Sequence, residues 1–295
     1  MRATAWMTLV LVASGCGDLD DDAADAGTED AEGEVSRPEC ATDACTDHFA
    51  VAQTIDYVFP DDAGTLDGFD IDGRVSDEDD TEGCNQQDYV SADGREGIDS
   101  QSSILMRLLM DINGEAIDGY TKTAIADGDL LMVTGIEGVD DPMDDDCVIV
   151  SAFPVVGSPF LGTDGLIAAN QTFDPHPDHP IERSECASMK DGVVTGGPFE
   201  SIMPIYIVQL SVDVRVHDTH IRAELHDDGS MDVLSGGGAE TDQLFELVLQ
   251  SGEAAEIALA TATLDSLADL EPNEEGQCQQ LSQTMTMAAT PAFLF

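Results

Sequence analysis

The side chains best placed for chemistry in this chain are carboxylates. Between positions 67 and 99 stand Asp67, Asp70, Asp72, Asp77, Asp79, Asp80, Asp88, Asp93, Glu96 and Asp99. A hard cation such as calcium takes about six to eight oxygen ligands, and close-set Asp side chains around glycine turns supply them. The run Asp70-Ile71-Asp72-Gly73 with Asp77 and Asp79 just beyond it is therefore the expected calcium site, its ligands Asp70, Asp72, Asp77 and Asp79. It is not an EF-hand: that loop needs ligands at its first, third and fifth positions before the glycine, and here Gly68 stands where the first belongs. The plain alternative is a solvated acidic loop.

Histidine offers the next candidates. His217, His220 and His226 lie close in sequence, and His176-Pro177-Asp178-His179 forms a short run beside Asp174. Residues three apart in a strand point to opposite faces, so only turn geometry would bring His217 and His220 together. Turn and edge-strand residues are the simpler reading. The Cys40-x4-Cys45 pair has no second Cys/His pair at zinc-ligand spacing. Hydrolase signals are absent: there is no Gly-x-Ser-x-Gly elbow, no His-Glu-x-x-His and no P-loop. Gly236-Gly237-Gly238 lacks the lysine of a phosphate loop and is read as a bulge or turn.

These residues need a scaffold, and the hydropathy pattern points to strands. Val208 to His217 alternates apolar and polar residues, and Ile221, Ala223 and Leu225 continue the alternation, the period of a half-buried strand. The two segments are expected to form a hairpin turning at His217-Asp218, which sets Asp213 opposite Arg222 rather than opposite a like charge. Further strands are expected at 129–137, 146–156, 164–173, 191–199, 230–235 and 284–295. Asp-Gly pairs at 127–128, 164–165, 191–192 and 228–229 read as hairpin turns. Helices are expected at 99–112 and 115–126, separated by Asn113-Gly114, and over 242–270, interrupted at Ser251-Gly252 and ended by Glu271-Pro272. The predicted fold class is α+β and β-rich, an antiparallel sandwich-like domain with a few packed helices.

Export is written into the first residues. MRATAWMTLVLVASGC places one basic residue before a short apolar run, then small residues and Cys16. That is the layout of a secretory signal peptide, and the ending Val12-Ala13-Ser14-Gly15-Cys16 resembles the bacterial lipobox. Residues 1–15 are thus expected to be the leader and Cys16 the acylated residue. Six cysteines remain: Cys40, Cys45, Cys84, Cys147, Cys186 and Cys278. An even number in an oxidising compartment predicts disulfides, with about 15 possible connectivities; Cys40 and Cys45 would close a local loop, the other four would bridge distant segments.

Charge sets the partners. There are 61 acidic and 10 basic residues, a net charge of −51. Such a surface repels nucleic acid and anionic lipid headgroups and attracts cations. The segment 16–39 carries ten acids and almost no large apolar residue; it cannot bury enough surface to order itself and serves as an extended tether. Residues 40–295 have globular composition and are expected to form one domain.

Several runs resemble a family of acidic, Cys-containing lipoproteins from predatory, often marine, bacteria: LDGFDIDGRVSD at 66–77, EGIDSQ at 96–101, GVDDPMDDDC at 138–147, LGTDGLI at 161–167, QTFD at 171–174 and the PAFLF ending after Cys278. The likeness spans most of 56–295 and implies no particular activity. Ser100 stands where such runs more usually carry Asn. The expectation from sequence is a lipid-anchored protein of the cell envelope, held in the outer membrane, noncatalytic, binding or structural, and stabilised by calcium. The alternative is a cation-dependent extracytoplasmic hydrolase.

Overall fold

In the computed structural model the chain is described at residues 45–207, 210–251 and 254–295. The leader 1–15, Cys16, the tether 16–39 and Cys40 lie outside these residues. The strands are β1 (Thr46–Tyr57), β2 (Met132–Val139), β3 (Asp144–Val156), β4 (Gln171–Pro175), β5 (Ala187–Lys190), β6 (Val193–Ile207), β7 (Leu210–Leu225), β8 (Met231–Glu240), β9 (Leu270–Pro272) and β10 (Cys278–Leu294). The helices are α1 (Ser102–Asp127), α2 (Thr241–Ser251) and α3 (Ala254–Leu267).

The strands are held in a ring. Antiparallel ladders join β1 to β2, β2 to β3, β3 to β5, β5 to β6, β6 to β7, β7 to β8, β8 to β10 and β10 back to β1. A second, smaller circuit uses β4, which lies parallel to the end of β10 and antiparallel to the end of β3. The fold is α+β and β-rich, as the patterning implied; the strands belong to one mixed sheet, in which β4 runs parallel to β10 where an all-antiparallel arrangement was expected.

That core follows from the period of two. Val194, Ala223, Val233 and Met287 are successive partners across β6, β7, β8 and β10, and they are buried together with Ile221, two residues before Ala223, and with Ile136 and Val150. The opposite face of β1–β3 is covered as well: Val51, Val133 and Phe153 are register partners and are buried in the same cluster as Ala124 and Ile125 of α1. Strands covered on both faces read as near-continuous apolar runs, which is why β2 and β3 lack clean alternation.

Five sequence expectations give way. The hairpin expected at 208–226 is one continuous strand, β7. Its His217-Asp218 step is a bulge, with the register against β8 shifting between His217 and His220 and Asp218 at φ 48°. Hydrogen bonding on both sides, to β6 and to β8, holds the bulge in the sheet, whereas a lone hairpin would have turned there. The helices expected at 99–112 and 115–126 are the single α1. Asn113-Gly114 weakens a helix by about 1 kcal/mol but does not end it. Gly128 does, at φ 86°, its N–H donating to Ala124 O and Ile125 O. Asp127-Gly128 is therefore a helix C-cap rather than a hairpin turn. The strand expected over 164–173 starts only at Gln171, because 162–166 is a turn closed by Gly162 N–H to Leu166 O at 2.7 Å. Finally, α3 ends at Leu267, so Glu271-Pro272 lies in β9.

The glycine run 236–238 sits in β8 opposite the β7 bulge, where backbone approaches backbone. A Cβ on Gly237 would come 2.6 Å from Val216 Cγ1 and 2.8 Å from His217 O. We expect Gly237→Ala to lower stability by about 1–3 kcal/mol, the usual cost of overpacking. An unchanged urea midpoint would show that the strands can part there.

The disulfides bridge distant segments. Cys84 is bonded to Cys278, across 194 residues, and Cys147 to Cys186; Cys45 is also disulfide-bonded. Such bonds agree with an extracytoplasmic chain. No helix among the described residues is long and apolar enough to cross a membrane.

Candidate functional site

Two of the recognised runs, 66–77 and 96–101, meet against β8 and β10. Ile98 and Leu66 are buried there, and a Cβ on Gly68 would come 2.7 Å from Ile98. Phe69 stacks on the His220 ring. Asp99 N–H donates to Phe69 O at 2.9 Å, while Asp99 Oδ2 accepts from Ile71 N–H at 2.7 Å. Gly97, at φ +77°, brings the second run so close that a Cβ would lie 2.3 Å from Arg74 O.

The first loop is shaped by its own carboxylates. Asp70 Oδ1 accepts from the N–H groups of Gly73 and Arg74, and Asp72 Oδ1 from Arg74 N–H. These Asx turns point Asp70 and Asp72 toward Asp99. One oxygen from each of the three lies within 4.8 Å of the others. Asp70 and Asp72 are exposed and Asp99 is only 3% exposed. Asp88 hydrogen-bonds to Asp99 and accepts from Ser76 N–H at 2.5 Å. Behind them, buried Asp269 accepts from both the N–H and the hydroxyl of Ser282, and Ser282 Oγ in turn accepts from Gln101 N–H.

The electrostatics follow from burial. Removal from water, with Asp269, Asp72 and Asp88 nearby, pushes the Asp99 carboxyl up to about 9. Burial raises Asp269 to about 7, and burial with like-charged neighbours also raises Asp88 and Asp72. Basic groups are spent elsewhere: Arg74 pairs with Glu82, and Arg95 and Arg222 converge on Asp67. The arrangement is an all-oxygen set at which either protons or a hard cation can neutralise mutual repulsion.

Of the expected ligands, Asp70 and Asp72 come together. Asp77 and Asp79 are not in this cluster; Asp79 N–H donates to Asp77 Oδ1 in a turn of their own. Sequence reasoning counts Asp99 among the acids without singling it out. Its signal is the apolar Ile98 before it and the uncharged Ser100-Gln101-Ser102-Ser103 run after it, which together mark a carboxyl carried inward.

Asp72 also lines an open cleft of about 280 Å³ with Arg74, Glu82, Asp218, Glu271 and Gln280. Asp218 and Glu271 both hold left-handed backbone, at φ 48° and 55°, a conformation that costs a non-glycine residue of order 1–3 kcal/mol and that clusters at functional sites.

The bulge brings His217 and His220 to one face of β7, since they pair with Gly238 and Gly236, two residues apart. Their roles differ. His217 is clasped between Glu200, at 3.0 Å from Nδ1, and Glu240, at 2.7 Å from Nε2. Burial opposes its charge, but the bonds to Glu240 and Glu200 outweigh this and raise its pKa. His226 pairs with Asp232, while His176 stacks on His179. Among the described residues, the group with three ligand atoms in mutual reach contains no histidine.

No protein-family model, curated protein or solved structure matches this chain.

Proposed function

We propose that the chain is a lipid-anchored envelope protein, noncatalytic, whose β-rich domain serves as a binding or structural module and takes calcium at Asp70, Asp72 and Asp99. The observation that carries this reading is the convergence of those three carboxylates from two loop runs, one of them buried. A structural cation fits a carboxyl enclosed beneath the surface. Catalysis by the alternative, a cation-dependent hydrolase, would need that carboxyl within reach of substrate, and Asp99 is enclosed. Acylation of Cys16, retention in the outer membrane and avoidance of nucleic acid belong to the same proposal and rest on the leader motif and the charge.

Two measurements test it. Millimolar calcium is expected to raise the melting temperature further when sodium chloride already screens the surface, because an ion that binds only the folded state stabilises by mass action. Asp70→Asn with Asp72→Asn is expected to remove most of that increment; equal increments in both proteins would end the calcium reading. For the anchor, a fatty-acid probe is expected to label the wild type and leave Cys16→Ser unlabelled. Equal labelling would end that part.

A further inference from the structure

Charge along this chain is unevenly placed, and the fold gathers the uncharged parts. No Asp, Glu, Lys, Arg or His occurs at 147–163, 165–173 or 276–295. These stretches supply most of β3, the start of β4 and all of β10. They meet where β4 pairs with the end of β10, Gln171 opposite Ala292 and Phe173 opposite Leu294. The Gln171 side chain accepts from Phe160 N–H and donates to Phe160 O, and Phe295 N–H donates to Phe173 O. Around this end the apolar side chains face water: Phe160 is 74% exposed, Phe293 55%, Phe295 95% and Leu166 37%.

The same end holds the start of the first described strand. β1 begins at Thr46, and Phe49 pairs with Ala292; Phe293 shares a surface groove with Asp47 and His48. The acidic cluster lies toward the other end of β10, near Ser282 and Thr284. At ~3.3 Å per residue, Ser282 and Phe293 are about 36 Å apart along the strand. The domain thus has an aromatic end, where β1 begins, and a carboxylate end remote from it. Charged and titratable groups border this end: Asp164 separates the first two uncharged stretches and accepts from Leu166 N–H, and Asp47 and His48 line the groove beside Phe293.

We propose that this aromatic end, built on Phe160, Leu166 and Phe293, rests on the lipid surface and turns the carboxylate end away from it. The inference rests on the anchor reading above, which keeps the domain within reach of lipid. Aromatic side chains favour the headgroup region, where an apolar ring meets a wet boundary. The clustered carboxylates at the far end oppose contact with anionic headgroups.

The test uses the acylated chain beginning at Cys16, which has lost Trp6 with the leader and so carries no other indole, with Phe293→Trp, Phe160→Trp or, as the distal control, Val75→Trp, whose position is 63% exposed in the acidic loop. Each is bound to uncharged phosphatidylcholine vesicles with brominated acyl chains. The indoles at 293 and 160 are expected to be quenched at least twofold more than the one at 75. Equal quenching at all three positions on chains that float with the vesicles overturns the inference and leaves the anchor reading standing. Chains that do not float remove both. A blue shift at 293 that grows with protein concentration without vesicles assigns the surface to a second copy, and also overturns it.

Discussion

In calcium-free buffer at pH 8, Asp99→Asn is expected to be more stable than the wild type. The Asp99 carboxyl titrates near 9 in the folded chain and near the ordinary 3.8 when unfolded, so the folded state holds a proton that the unfolded state has lost. Stability from this group is complete below about pH 4 and declines as pH rises toward 9, at about 1.4 kcal/mol per pH unit. Asp269, raised to about 7, and the raised Asp88, Asp72 and His217 add slopes of the same sign. Asp61, Asp80 and Asp93, lowered first of all by hydrogen bonds from Thr65, Glu82 and Ser91, lose their contribution only as pH falls below the ordinary carboxylate range. His48, lowered by burial, opposes them below pH 6.5, but it is one group against the several raised ones between pH 5 and 8. Asparagine still offers an oxygen to Ile71 N–H and has no proton to lose. Its advantage should be largest at pH 8 and should shrink toward pH 5. Calcium reverses the order: it should stabilise the wild type, with release of protons, and leave the variant nearly unchanged. Thermal melts at pH 5, 6.5 and 8, with and without calcium, check this. Parallel pH profiles for the two proteins would mean that Asp99 ionises as an ordinary surface acid does.

The second large effect concerns the Cys84–Cys278 bond. It closes 194 residues of chain and ties the acidic loop to the first residue of β10. By chain entropy such a loop is worth about 5 kcal/mol, against about 4 kcal/mol for Cys147–Cys186, which closes 39. Replacing Cys84 and Cys278 with Ser should therefore cost more stability than replacing Cys147 and Cys186. It should also weaken the calcium increment, because Asp70, Asp72 and Asp99 flank Cys84 on both sides in sequence. Denaturant titration of both double variants decides the order. A smaller loss from the longer bridge would show that the unfolded chain retains contacts around the acidic loop.

How much of this was legible in sequence depends on what each feature needs from the rest of the fold. The strands near 146–156, 191–199, 230–235 and 284–295 could be placed because apolar alternation and Asp-Gly turns are local signals. The turn at Asp191-Gly192, both at positive φ between β5 and β6, is such a case. Long-range bridging by four cysteines was also legible, though not its connectivity. The β7 bulge was not. Whether His217-Asp218 turns or continues is decided by β6 and β8 on either side, and no local property of His217, Asp218 or Thr219 encodes those neighbours. Asp70 and Asp72 could be named because two acids flank one residue before a glycine. Asp99 reaches them from 27 residues beyond Asp72, through a backbone contact that only the folded loops create.

The ring of ladders bears on how such a chain behaves when crowded against copies of itself. A sheet edge with unpaired N–H and C=O groups templates the addition of further strands, and proteins blunt such edges with charge, bulges or cover. In the eight-stranded circuit each strand has a neighbour on both sides over part of its length, while among the described residues 201–207 of β6 and 210–214 of β7 pair only with each other. Over the closed part, resistance to edge-to-edge aggregation is then a property of the topology and does not depend on repulsion between carboxylates. It should survive conditions that silence that repulsion, such as high salt or saturating divalent ions, where many acidic proteins lose their solubility.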